Sequence, residues 1–96
     1  MSLKTITDCL GYEQVTSLSA SAALTMPTTP SALKPRVALI QAESQAVRWR
    51  DDGTAPSASV GMRLNPNTSM LYDGDLNKIR FIEEAASAKL NVSYYF

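Results

Sequence analysis

The chain has 96 residues, 45% of them hydrophobic and 19% charged, with nine basic side chains balanced by nine acidic ones and no histidine. That length holds one domain with a thin core of its own, and the composition is too apolar for a disordered chain. Zero net charge removes the long-range attraction on which nucleic-acid binding rests. The missing histidine excludes triad hydrolysis, and a single cysteine excludes an internal disulfide and a zinc site.

The opening Met-Ser-Leu-Lys-Thr-Ile-Thr-Asp lacks the apolar core of a secretion signal, and no run approaches the length of a membrane span, so no membrane partner is expected and synthesis in the cytoplasm is. Residues 1–11 read as an N-terminal arm, with Cys9 a small semi-buried side chain rather than a reactive thiol. From 12 to 18, Tyr12, Gln14, Thr16 and Leu18 alternate with Glu13, Val15 and Ser17, the pattern of a pleated strand with a mostly polar surface. Small side chains follow at Ala20 and Ala22, where another sheet or another subunit can approach closely. Residues 26–35 hold Pro27, Pro30 and Pro35 among serines and threonines; each proline removes a backbone donor and fixes φ, which predicts an extended surface loop.

Val37-Ala38-Leu39-Ile40 is a continuous apolar run with β-branched members, as expected of a central strand covered on both faces, and the polar residues 41–45 read as a turn. Residues 46–50 resume alternation, with Val47 and Trp49 inward and Arg48 and Arg50 outward, and Asp51-Asp52-Gly53 signals a turn. Residues 58–64 place Val60, Met62 and Leu64 on one face. Residues 69–72 form a short strand with Met70 and Tyr72 together, ended by Asp73-Gly74-Asp75. Residues 78–84 set Ile79 and Phe81 against Arg80 and Ile82, although the good helix formers within 79–90 offer a short helix as the competing form. Residues 89–96 are the most amphipathic strand, Leu90, Val92, Tyr94 and Phe96 against Asn91, Ser93 and Tyr95. Seven or eight short strands at this spacing predict an all-β single domain over 1–96, an antiparallel β-sandwich in which jelly-roll-like connections are one possible wiring.

Catalytic candidates reduce to carboxylates. Asp51, Asp52, Asp73 and Asp75 sit where aspartate caps turn amides, and Asp73 with Asp75 lacks the further acidic ligands of a calcium loop. Glu83 and Glu84 are adjacent on a strand and point to opposite faces. No catalytic, cofactor or metal residue is assigned, and a non-enzymatic protein is expected. Arg48-Trp49-Arg50 suggests stacking on a nucleic acid, but alternation separates Trp49 from both arginines; Arg48 and Arg50 read instead as interface residues, together with Tyr95, Pro27 and Pro30.

Residues 36–96, about two-thirds of the chain, resemble a group of small proteins encoded among the virion genes of tailed bacteriophages and prophages. The likeness is carried by Ala38-Leu39-Ile40-Gln41-Ala42-Glu43, by Val47-Arg48-Trp49-Arg50-Asp51-Asp52-Gly53-Thr54-Ala55-Pro56, by Val60-Gly61-Met62, by Ile79-Arg80-Phe81-Ile82 and by Leu90-Asn91-Val92-Ser93-Tyr94-Tyr95. The resemblance implies a β-sandwich subunit of the particle, as capsid decoration, head-completion or tail-associated protein, and brings no catalytic residues. Its expected partners are further copies of itself and other virion proteins such as the major capsid protein. The alternative from another class is a carbohydrate-binding β-sandwich module using Trp49 or Tyr95 as a platform.

Overall fold

The computed structural model describes residues 9–27 and 34–96. These form eight strands: β1 (Cys9–Val15), β2 (Ala22–Ala23), β3 (Val37–Glu43), β4 (Val47–Arg50), β5 (Met62–Leu64), β6 (Ser69–Tyr72), β7 (Arg80–Glu83) and β8 (Lys89–Tyr95). They make two four-stranded antiparallel sheets packed into a sandwich, sheet A in the order β1-β8-β3-β6 and sheet B in the order β2-β7-β4-β5. In this order β1 lies by β8, β2 by β7, β3 by β6 and β4 by β5. A long hairpin whose rungs fall alternately into one sheet and the other is the wiring of a jelly roll.

One core fills the space between the sheets. From sheet A it takes Ala38, Ile40 and Ala42 of β3, Tyr72 of β6 and Leu90, Val92 and Tyr94 of β8; from sheet B come Val47, Leu64 and Phe81. Leu18, Leu24, Leu76, Ile79 and Ala88, on the connections, close its ends. Each valine, leucine, isoleucine or phenylalanine among them contributes about 1.5–3 kcal/mol on burial, which a domain of this size needs from nearly every large inward position.

The expected all-β sandwich is therefore present, and the differences lie in its details. β1 starts at Cys9, inside the stretch expected as an arm, and ends at Val15. Its inward side chains are Glu13 and Val15, opposite Val92 and Leu90, while Leu18 is buried just beyond the strand. β3 is interior to its sheet but open on one face, because only sheet B covers it: Ala38, Ile40 and Ala42 are buried and Leu39 is exposed. It also runs to Glu43, so the turn begins at Ser44, which takes a left-handed φ of 77°. β5 is shorter than expected, since Gly61 at φ 145° breaks the extended chain there, and Val60 and Met62 are exposed. A Cβ at position 61 would press on the Trp49 carbonyl at 3.1 Å, so the backbone passes close enough to β4 to require glycine. No helix forms across 79–90: β7 and β8 are joined by a turn with Ser87 at φ 74°. Phe96 is not core; it is exposed, with the Arg36 guanidinium 5.9 Å from its ring centre.

Candidate interaction surfaces

The outer face of sheet A is built by the side chains that alternate away from the core. Register places them in rows across the strands: Tyr12, Ser93, Leu39 and Leu71 in one, and Gln14, Asn91, Gln41 and Ser69 in the next. Tyr95 lies beside Val37 at one end, and Lys89 beside Glu43 at the other. The first row is apolar and open to solvent, with Tyr12 63%, Leu71 58% and Leu39 40% exposed.

The second row is tied by hydrogen bonds through Asn91. Its Oδ1 accepts from the Tyr12 hydroxyl (2.7 Å) and from Gln14 Nε2 (3.0 Å). Its Nδ2 donates to Gln41 Oε1 (3.2 Å) and to Glu43 Oε1 (2.9 Å). Side chains so linked across neighbouring strands hold a fixed relief, which lowers the entropy lost when a partner is bound. Cys9 is exposed at the edge of this face, its Sγ 3.6 Å from Ser93 Oγ.

The outer face of sheet B is basic. Arg48 lies directly across from Arg63, and Arg50 directly across from Arg80. Like charges so placed repel, and two carboxylates offset this. Glu84 Oε2 accepts from Arg48 Nε (2.6 Å) and Arg63 Nε (2.8 Å), and Asp52 takes Arg50 in a two-pronged contact of 3.1 and 2.5 Å. The Arg63 and Arg48 guanidiniums hold the Glu84 carboxyl below its usual range against the opposing effect of burial. The bond from Arg50 brings Asp52 down to about 2. Arg80 donates to the carbonyls of Asn77 and Ile79 and is in no ion pair among the described residues.

Two tyrosines carry polar groups to the rim of the core. Tyr94 donates its hydroxyl to Glu13 Oε2, which also accepts from the Thr25 amide at 2.8 Å. Tyr72 donates to Asp51 Oδ2 at 2.6 Å and passes so close to Gly74 that a Cβ there would collide with its hydroxyl. Both phenols are pushed above their ordinary range, first by burial and then by the bonds to Glu13 and Asp51, which favour the protonated form. These carboxylates are thus engaged as acceptors. Asp75 likewise caps the Asn77 amide at 2.9 Å, and Glu83 accepts from the Ala88 amide at 3.4 Å. Among the described residues no three acidic or cysteine side chains gather as metal ligands would.

The five interface candidates do not form one patch. Arg48 and Arg50 stand on the outer face of sheet B, already paired with Glu84 and Asp52. Tyr95 stands on the outer face of sheet A, its hydroxyl accepting from Ser93 at 3.2 Å. Pro27 is half-buried against Gly11, and Pro30 lies outside the described residues. Trp49 is half-buried, with Tyr72 edge-on at 6.0 Å between ring centres. Sequence reasoning passed over Tyr12, Leu39, Leu71 and Asn91; for Leu71 the signal was present in alternation, which sets it opposite half-buried Met70 and buried Tyr72, whereas the continuous apolar run around Leu39 concealed it.

By its strand order the chain is a small jelly-roll sandwich with two open sheet faces. Comparison with protein-family models, with curated proteins and with solved structures finds no match in any of the three.

Proposed function

We propose that the protein is a structural subunit of a tailed-bacteriophage particle, a capsid-decoration or head- or tail-associated protein that acts through assembly contacts with further copies and with other virion proteins such as the major capsid protein. The observation that carries this reading is the open outer face of sheet A, a rigid four-stranded platform with Tyr12, Leu39 and Leu71 in one exposed row. Small jelly rolls are an architecture of viral capsid and lectin domains, and the resemblance of residues 36–96 to virion-encoded proteins supports the first of these. Exposed apolar rows rimmed by polar side chains mark interaction surfaces, and this row is rimmed by the amides of Gln14, Asn91 and Gln41.

The test is to band particles from the producing host on a density gradient and to measure the chain in them by quantitative mass spectrometry. A fixed copy number per particle, kept through repeated banding, is expected. A chain left wholly in the soluble fraction overturns the reading.

The carbohydrate-binding alternative has one observation in its favour, the exposed Tyr12 ring beside a row of amides, the side chains with which sugar hydroxyls bond. Trp49 is no platform for it, being half-buried against Tyr72. Retention of the purified chain on immobilised glycans, lost in Tyr12→Ala, would establish it.

A further inference from the structure

We propose that the outer face of sheet A binds a second copy of this chain, forming a two-fold dimer whose axis runs parallel to the strands, between β8 and β3. The proposal deepens the assembly reading and rests on it for the expectation of subunit contacts; the choice of face and axis comes from the register.

Sheet A has four strands, with β8 and β3 at its centre and β1 and β6 at its edges. A two-fold axis placed between the central pair sets β8 of one copy over β3 of the other, and β1 over β6, while each cross-strand row lands on its own copy. The edges of the apolar row, the amide row and the charged end row are then self-complementary. Tyr12 covers the partner copy's Leu71, and Ser93 and Leu39 meet in the middle of the same row. Asn91 faces Gln41, two amides that each carry donors and acceptors, and Tyr95 faces Val37. At the far end Lys89 faces Glu43, twice over, because an isologous contact repeats every pair.

Aligned sheets pack about 10 Å apart and cross at about 30°. The axis bisects that angle, so the central rows stay in register and the end rows shift by a few ångströms, within the reach of lysine and glutamate side chains. Three strands of seven residues and one of four, about 4.8 Å apart and rising about 3.4 Å per residue, give a flat face of roughly 400 Å². Two such faces come to roughly 800 Å² before the relief of their side chains is counted, the size of a weak, concentration-dependent contact. On the other sheet the same operation sets Arg50 over the partner copy's Arg80, a like-charge contact that disfavours that face.

The test is light scattering on the full chain after size exclusion, across a concentration series. Wild type is expected at twice the 10.4 kDa chain mass. Leu39→Lys with Leu71→Lys should halve that mass, and Arg80→Ser, on the opposite sheet, should leave it unchanged. Glu43→Lys and Lys89→Glu should each weaken association at least tenfold by setting like charges across the interface. Mixed in equal amounts, these two variants should form a mixed dimer, seen by native mass spectrometry, although within each chain positions 43 and 89 still repel. That mixing separates contact between copies from contact within one, and it needs no substitution in the apolar row.

A wild type monomeric to about 1 mM, the weak limit of specific association, overturns the proposal. So does a dimer indifferent to Leu39 and Leu71, or a pair of charge variants that do not combine. A monomeric chain that is nevertheless carried by particles refutes the dimer and leaves the virion reading intact. A dimer absent from particles does the reverse.

Discussion

Glu13 is an inward-facing carboxylate on the edge strand β1, and its partners define a measurable coupling. Tyr94, only 1% exposed, gives its hydroxyl to Glu13, and the Thr25 amide gives a second bond to the same oxygen. The carboxylate therefore ties the centre of sheet A, its edge, and the segment that leaves β2 of sheet B. Tyr94→Phe removes one hydrogen bond to a charged acceptor without opening a cavity, a loss of about 2 kcal/mol. For a domain of this size that corresponds to a fall in Tm of about 8–16 °C. It is also a large part of a total stability of about 5–15 kcal/mol. Glu13→Gln keeps shape and acceptor but removes the charge, at a cost of about 1 kcal/mol. In the double variant the second change should cost little, because the bond is already gone. Urea unfolding of the four proteins, with unchanged m-values, yields the coupling energy, expected at about 1 kcal/mol or more. Additivity within about 0.5 kcal/mol would show that the bond does not link the strands.

The raised phenols of Tyr72 and Tyr94 predict an alkaline limit. Unfolded tyrosines lose their protons near pH 10 while the folded ones keep them, so stability is intact below about pH 10 and falls as pH rises beyond it. Tyr94 carries the larger share, because the Tyr72 bond lies nearer to solvent, which screens it. Denaturant midpoints between about pH 9 and pH 11 measure the fall; Tyr94→Phe should flatten it, and a flat wild-type profile would contradict the assignment. Glu84→Gln leaves Arg48 and Arg63 facing each other without their shared carboxylate. Its Tm should drop below wild type in dilute buffer, and the gap should narrow at about 1 M salt, where the screening length falls to about 3 Å. A gap insensitive to salt would mean that packing, not charge, sets the role of Glu84.

How much of this was readable in advance follows from what alternation can and cannot specify. β8 was plain because Leu90, Val92 and Tyr94 alternate with polar residues over its full length, and the period of two fixes the face. β7 was readable through Phe81 between Arg80 and Ile82, with Ile79 just ahead of the strand. In β3 the run Val37-Ala38-Leu39-Ile40 hid its own period, since apolar side chains on the open face look like a second buried face. Tyr72 and Met70 betrayed β6, and alternation sets Leu71 on the face opposite them. Glu13 was misleading in the opposite direction: its charge marks it as outward until Tyr94 and Thr25, far along the chain, supply donors. Gly61 and Ser87 cut strands through backbone conformations that hydrophobic patterning does not register. The arginine pairs are a product of register alone, which arises from three separate strands and is visible only when they are assembled.

The strand order sets a condition on synthesis. β8 is the last strand to be made, yet it is interior to sheet A, with β1 on one side and β3 on the other. A ribosome that has released β1 to β7 has produced a chain whose first strand has no neighbour and whose β3 is paired only with β6. Sheet A is therefore complete only once β8 has joined β1 to β3, whereas every strand of sheet B precedes it in the chain. A product that stops short of Lys89 lacks the middle of the sheet and cannot present the face made by Asn91 and Ser93.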